Sequence, residues 1–357
     1  MGGQLSKTKL RSLWFSVHKW IGLLLAVVII PISFTGAALV WHDWLDEQIN
    51  PGRYAVSGPA TLPPARYVEA ARGVLAPGEA VTMLRYPEGG EGPVVVVASK
   101  AGAAKGPPQR TSVYLDGATA RVLDKAGSRE GLVQVFHVLH GSLMVPGLGR
   151  QIVGWVGVAM LVSSLTGLWL WWPLSGSFTR GLRWKRRPQF DTNLHHQLGF
   201  WISIPLAMLS FTGAWISFPA FFGPMVGEKA PQRPAPAPPL AGPALGVNAV
   251  ALKAPSAPVS IAWPTEKSPV WKIALEKGEA EVADATGAVT VKPPRPETIA
   301  RTMRRWHDGT GMGVVWQIVI FLGGLIPVVL AVTGITMWVA SRKWRKRPAR
   351  REFAAAE

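Results

Sequence analysis

Ser33-Phe34-Thr35-Gly36-Ala37 returns as Ser210-Phe211-Thr212-Gly213-Ala214, at an offset of 177 residues. At that offset His18 falls on His195 and Gly22 on Gly199. A second register, offset by 167 residues, sets Thr166-Gly167 on Thr333-Gly334, Trp171 on Trp338 and His140 on His307. These recurrences lie in or beside four apolar blocks, roughly 20–42, 151–173, 198–223 and 314–340. Each block meets the requirement of about 20 residues for a membrane span. The chain therefore reads as two copies of span–loop–span, entering and leaving the membrane in the same sense. A pseudo-twofold axis along the membrane normal is expected to relate them.

Composition agrees with a membrane protein. The 357 residues have a mean hydropathy of +0.20, only 17% charged residues and 17 Trp. The net charge of +17 is clustered rather than spread. Lys7, Lys9, Arg11 and Lys19 precede or open the first block; Arg180, Arg183, Lys185, Arg186 and Arg187 separate the second and third; Arg342 to Arg351 follow the fourth. All three clusters fall on one side of a four-span topology, which the positive-inside rule makes cytoplasmic, together with both termini. Nucleic-acid binding is not expected, because no recognition motif accompanies the charge. Trp14, Trp20, Trp41, Trp44, Trp169, Trp171, Trp172, Trp338 and Trp344 flank the blocks as interfacial anchors. The first block is too long for a signal-peptide core, and a related block recurs mid-chain.

Two long connections, about 45–136 and 224–306, are expected on the outer side. The first carries a helix pattern over Ala65 to Val74, then strand-like runs Ala80–Tyr86, Pro93–Ala98, Thr111–Leu115 and Ala120–Leu123 around Asp116-Gly117. The second opens with a Pro/Ala linker, Ala230–Pro243. Runs at Pro258–Trp263, Val270–Leu275, Glu281–Ala283 and Ala288–Val291 follow, with a Thr286-Gly287 turn. Both read as small α+β domains, the second degenerate.

Zero Cys excludes disulfides, thiolate metal sites, iron–sulfur clusters and a Cys nucleophile. The seven His are then the main candidates for metal or proton chemistry. Topology sorts them into His18, His195 and His196 on the cytoplasmic side and His42, His137, His140 and His307 on the outer side. The repeat pairs His18 with His195 and His140 with His307. A twofold axis turns equivalent inward-facing residues toward each other, so each pair offers two imidazoles to one central ion. Two axial His without thiolate, near each membrane face, suit two b-type haems. His196 lies about 100° round the helix from His195 and is not expected to face the same point. It remains a neighbour of the ligands or an alternative ligand. His42 and His137 have no repeat partner and are alternates at the outer face. The bland use of any single one of these His is interfacial hydrogen bonding.

Thr-Gly occurs in all four spans, at Gly36, Gly167, Gly213 and Gly334. These glycines either allow close helix packing or leave room for a flat macrocycle. Gly36 and Gly213 belong to the level of His140 and His307, and Gly167 and Gly334 to that of His18 and His195. From His140 to Gly167 is 27 residues, about 40 Å as straight helix and longer than the hydrocarbon core. A bent or re-entrant segment is therefore expected after His140. No dinucleotide fingerprint, P-loop, HExxH or GxSxG is present, so electrons must come from outside the chain.

His140-Gly141-Ser142-Leu143, Gly149-Arg150-Gln151-Ile152-Val153-Gly154 and Leu165-Thr166-Gly167-Leu168-Trp169-Leu170-Trp171-Trp172-Pro173 resemble the PepSY-associated transmembrane family. Val17-His18-Lys19-Trp20-Ile21-Gly22 and Leu194-His195-His196-Gln197-Leu198-Gly199 resemble its other signature, a His at a span start followed by Gly. The resemblance covers nearly the whole chain. It implies a relative of FoxB-type inner-membrane ferric-siderophore reductases, with two b-type haems on His18, His195, His140 and His307. It implies reduction of Fe(III) to Fe(II) in a ferric siderophore or other ferric chelate at the periplasmic face, for iron uptake. The donor would be cytoplasmic or a quinol.

The expected architecture is a mainly α, multi-pass membrane protein: four transmembrane helices as two parallel repeats, with two small α+β, PepSY-like periplasmic domains. Its segments are a cytoplasmic N-terminus and first span (1–44), a PepSY-like domain (45–136), a His segment with the second span (137–173) and a basic cytoplasmic loop (174–194). The third span (195–223), the linker with the second domain (224–306), the fourth span (307–340) and a basic cytoplasmic tail (341–357) complete it. Two other functions compete with the oxidoreductase. One is a non-catalytic module binding a periplasmic partner or haem. The other is a metal-ion permease, disfavoured because no Asp or Glu lies within the spans.

Overall fold

The computed structural model describes residues 6–100, 109–172, 177–184, 188–229, 237–294 and 296–345. The basic cluster Lys185, Arg186 and Arg187, residues 230–236 of the Pro/Ala linker and the tail beyond Arg345 lie outside the described residues. The chain divides into two units. One comprises Met1–Val40, Phe136–Pro231 and Thr298–Glu357; the other comprises Trp41–Val135 and Gln232–Glu297.

Helix α1 (Lys7–Leu24) starts the first unit and α2 (Ala26–Leu39) continues it. The pair bends by 69° at the intervening break, where Leu25 takes φ −89°, ψ −2°. The apolar block at 20–42 is thus not one straight rod, and its helix begins well before residue 20. The second unit then supplies α3 (His42–Ile49), α4 (Pro64–Arg72) and four strands, before α5 (Leu132–Ser142) returns the chain to the first unit. Next come α6 (Gly149–Trp171), the short α7 (Phe178–Gly181), α8 (Phe190–Ser217) and α9 (Pro219–Met225). The second unit adds α10 (Val247–Leu252), and the first closes with α11 (Ile299–Asp308) and α12 (Gly313–Arg345).

By length and composition, three helices of the described residues can cross a membrane: Gly149–Trp171, Phe190–Ser217 and Gly313–Arg342. The bent pair α1–α2 is a fourth if it counts as one span. Within the unit α6 packs on α8, α8 on α12, and α12 on α2, while α1 lies on α6 and α11 on α8. Ile29 and Ile32 of α2, Val156 and Met160 of α6, and Ile202 and Leu206 of α8 form its apolar core.

The expected break after His140 is present. Leu143 and Met144 hold positive φ (50° and 58°), as does Gly147 (76°), and α6 begins only at Gly149. A Cβ on Gly149 would overlap the Ser142 carbonyl. This close approach ties the start of α6 to the end of α5 and lets α5 turn away instead of lengthening the span. Gly309, Gly311 and Gly313, all with positive φ, make the corresponding turn between α11 and α12.

The second unit is an eight-stranded antiparallel sheet in the order β4-β3-β2-β1-β5-β6-β7-β8. Its strands are β1 (Glu79–Arg85), β2 (Val94–Lys100), β3 (Arg110–Leu115), β4 (Val122–Gly127), β5 (Pro258–Ala262), β6 (Val270–Leu275), β7 (Glu279–Ala283) and β8 (Val289–Lys292). This corrects the expectation of two separate small domains. β1 pairs with β5, Leu84 opposite Ile261, and the two loops share one sheet. Unpaired, both strands would be exposed edges that invite association. Tyr67 and Ala71 of α4 and Val250 of α10 pack with Leu84, Ile261 and Trp271 in one continuous core.

Two buried carboxylates fasten equivalent corners. Asp116 accepts from the Ser57 amide (2.6 Å), the Ser57 hydroxyl (2.6 Å) and the Thr119 hydroxyl. Asp284 accepts from the amides of Ala244 (2.8 Å) and Leu245 (3.1 Å) and from Trp271 Nε1 (2.8 Å). Burial alone would raise the Asp116 pKa, but the hydrogen bonds from Ser57 and Thr119 outweigh it and bring the pKa down to about 2. A carboxyl depressed on folding adds stability above its unfolded pKa and loses it as pH falls through the folded one. Hydrogen exchange across the β3–β4 hairpin should therefore quicken between about pH 4 and pH 2. Asp116→Asn should remove that acid step and cost about 1–3 kcal/mol at neutral pH. Gly149→Ala should lower the thermal unfolding temperature in detergent by several degrees, because backbone, not a flexible side chain, occupies the space.

Candidate functional site

Each of the four repeat-paired histidines leans on a Thr-Gly of a neighbouring helix. His18 of α1 faces Thr166-Gly167 of α6, and His140 of α5 faces Thr35-Gly36 of α2. His195 of α8 faces Thr333-Gly334 of α12, and His307 of α11 faces Thr212-Gly213 of α8. A Cβ built on the glycine would stand 2.7 Å from His140 Cε1 at Gly36, 3.0 Å from His18 Cε1 at Gly167, 3.0 Å from His307 Cε1 at Gly213 and 3.7 Å from His195 Cε1 at Gly334. At Gly334 the contact is an ordinary van der Waals one; at the other three a side chain would press on the ring. At Gly36, Gly167 and Gly213 the space of the missing side chain is taken by an imidazole.

The reason is hydrogen bonding. His140 Nδ1 lies 2.9 Å from the Ile32 carbonyl, His18 Nδ1 3.0 Å from that of Ser163 and His307 Nδ1 3.1 Å from that of Leu209. His195 also interacts with the Leu330 backbone, and its Nδ1 lies 3.0 Å from Thr333 Oγ1. In every case the main-chain acceptor is four residues before the glycine. It already takes the glycine's helical N–H and offers its second lone pair to the ring. A helical Cβ tilts toward the N-terminus, so any side chain at the glycine would stand over that carbonyl.

The threonines fix the direction of the bond. Thr35, Thr166, Thr212 and Thr333 are buried. Their hydroxyls donate to Pro31, Val162, Met208 and Val329 oxygens at 2.6–2.9 Å. With its proton committed, a Thr oxygen can only accept from an imidazole. His18, His195 and His307 Nδ1 lie 3.3, 3.0 and 3.1 Å from Thr166, Thr333 and Thr212 Oγ1. Carbonyl and hydroxyl thus both require Nδ1 to carry the hydrogen. Nε2 is left with its lone pair at all four rings.

The rings meet in two pairs. His18 and His195 have centroids 6.3 Å apart with planes at 87°, and His140 and His307 have centroids 5.9 Å apart at 39°. Two imidazoles bound trans to one ion, with metal–nitrogen bonds of about 2.0–2.1 Å and ring centres about 1.1 Å behind each nitrogen, have centres about 6.3 Å apart. Both centroid separations lie within about 0.4 Å of that value. Among the described residues no group of three or more His, Cys, Asp or Glu could hold a metal. Two donors are too few for a bare ion, which takes four or more; they suit a metal that brings its other donors with it.

A cavity of about 730 Å³ adjoins the first pair, lined by His18, His195, Gly167, Met160, Phe200 and Leu330 among others. This is within the range of small-molecule and cofactor sites, about 300–1,000 Å³. His196 also lines it, its ring 6.5 Å from that of His195. The cavity is wide enough to be lined by more than one strip of α8. His137 is exposed on α5, one turn before His140. His42 opens α3 in the second unit, 3.3 Å from the Asp43 carboxylate.

The match to the family model of the PepSY-associated TM region runs over residues 15–341. The chain belongs to the PepSY-associated TM family. No curated protein matches it. The family region includes all four His/Thr-Gly contacts and both units of the structure. What sequence reasoning missed are the acceptors at 32, 163, 209 and 330. Because main chain does the accepting, residue type carries no signal; only the constant spacing to Thr-Gly could have revealed them.

Alanine at the four glycines should destabilise in the order of the clashes. Gly36→Ala should cost most, Gly167→Ala and Gly213→Ala less, and Gly334→Ala least, as read by thermal unfolding in detergent. Equal gains of about 1 kcal/mol at all four would mean that helix propensity alone decides the substitution and that no imidazole needs the space.

Proposed function

We propose that this membrane protein carries two b-type haems, one between His18 and His195 and one between His140 and His307. It would pass electrons across the bacterial inner membrane to a ferric siderophore or other ferric chelate at the periplasmic face. The observation that carries the reading is the fourfold imidazole tether, which leaves Nε2 unprotonated in two pairs spaced for one ion each. Haem iron, when bound, supplies one-electron transfer between its ferric and ferrous forms.

The chain's own part is to hold four rings in one tautomer and to keep the two levels apart. An imidazole whose Nδ1–H is fixed by a carbonyl is a better-oriented and more basic ligand. Along α8, His195 and the Gly213 that abuts His307 are 18 residues apart, about 27 Å of helix. The core of Ile29, Ile32, Val156, Met160, Ile202 and Leu206 carries no charge, which excludes water and ions from the path. With the termini cytoplasmic, the His18 pair would receive electrons from a cytoplasmic or quinol donor, and the His140 pair would deliver them outward. The reading matches the activity of FoxB-type reductases. A permease is less well supported, because neither pair has the donors a bare divalent ion needs.

The test is the absorbance spectrum of the purified full chain. The expected result is a Soret band that shifts on dithionite reduction, with two b haems per chain by the pyridine assay. His18→Ala and His195→Ala should each remove the same haem, and His140→Ala and His307→Ala the other, about half the absorbance in every case. The double variant within a pair should equal either single one. A colourless protein from haem-replete cells overturns the proposal. Reoxidation of the reduced protein by a ferric siderophore, and its loss in His140→Ala, tests the substrate.

A further inference from the structure

The cavity beside His18 and His195 is polar at one end and apolar at the other. On α1, Thr8, Arg11 and Ser12 line it before His18; at the start of α8, Gln189 and Thr192 line it before His195. Beyond the histidines the lining is Ile29, Met160, Ile202 and Leu206. Arg11 is the one Lys, Arg, Asp or Glu among its described lining residues. A guanidinium with no carboxylate in the same cavity is an anion site in waiting.

Its level is set by two contacts on α6. Gly167 abuts the His18 ring, and Arg11 Nη2 donates to the Leu170 carbonyl at 2.6 Å. Leu170 is three residues past Gly167, so the guanidinium lies about 4.5 Å farther along α6 than the ring. One bond to Leu170 occupies one of five guanidinium donors. The rest are available to an acceptor in the cavity, beside the hydroxyls of Thr8, Ser12 and Thr192.

We infer that this end of the cavity is a carboxylate-binding site, in which Arg11 anchors the propionates of the haem held by His18 and His195. The inference rests on the two-haem reading. It assigns that haem an orientation: propionates toward the N-terminal ends of α1 and α8, and the apolar edge toward Ile29 and Leu206. Arg11 is thus a positioning residue, acting on the carboxylates and not on the iron.

The test compares haem b with its dimethyl ester, whose carboxylates are masked. Apoprotein of the full chain carrying His140→Ala isolates the site at His18 and His195 and is titrated with each compound. The expected result is about a tenfold preference for haem b over the ester, lost in Arg11→Leu and largely kept in Arg11→Lys. The midpoint potential of that haem should also shift in Arg11→Leu, while in the chain without the His140 substitution the other haem's potential stays unchanged. Equal affinity of the parent chain for acid and ester overturns the inference and leaves the two-haem reading intact. An Arg11→Leu chain that keeps the preference also overturns it, since a merely structural loss of the Leu170 bond would not discriminate acid from ester. Should Arg11→Leu fail to fold, the acid–ester comparison in the parent chain decides alone. If no variant binds either compound, the two-haem reading itself fails, and the inference with it.

Discussion

A helix carbonyl has a second lone pair, but its own side chains normally screen it from a neighbouring helix. Removing the side chain one turn later opens a slot through which an imidazole N–H can reach the oxygen. The first unit is assembled around four such slots. Each joins a helix bearing His to a helix bearing Thr-Gly: α1 to α6, α5 to α2, α8 to α12, and α11 to α8. α8 takes part twice, as donor through His195 and as acceptor through Leu209. The constraint also accounts for the breaks in the chain. α5 and α11 are separate short helices because a straight extension of α6 or α12 would not bring His140 or His307 against Gly36 or Gly213.

The second unit follows a different rule. Its two stretches of chain lie far apart in sequence, yet neither half-sheet keeps its edge: β1 and β5 close on one another, and α4 and α10 cover a common core. Buried Asp116 and Asp284 then hold equivalent corners through donors from preceding loops. Stability here comes from area and from satisfied carboxylates, not from ring tethers.

Much of this was legible beforehand. The apolar blocks, seven of the eight strands within about two residues, and the pairing of His18 with His195 and His140 with His307 came from local pattern and internal repetition. β4 was visible only in its first two residues, and its run continues four residues past Leu123 to Gly127. The misses have physical causes. The bend at Leu25 lies inside a uniformly apolar run, where hydropathy is blind to direction. The β1–β5 union is a contact between strands more than 170 residues apart, which no local period encodes. The glycines were recognised as missing side chains, but whether ring, helix or ligand takes the space depends on tertiary placement.

The use of main chain as the acceptor has a consequence for how such a site can vary. A tether to a carboxylate side chain is lost with one codon. Here the residues at 32, 163, 209 and 330 are Ile, Ser, Leu and Leu, three residue types at four positions, and none of these side chains need supply the acceptor. Substitution there leaves the oxygen in place, so Ile32, Leu209 and Leu330 answer to lipid and packing demands alone, while the Ser163 hydroxyl, 3.3 Å from His18 Nδ1, adds a side-chain contact. Inheritance of the ring's tautomer rests instead on helix register and on a glycine four residues later. An insertion or deletion of one residue would undo what dozens of point changes could not.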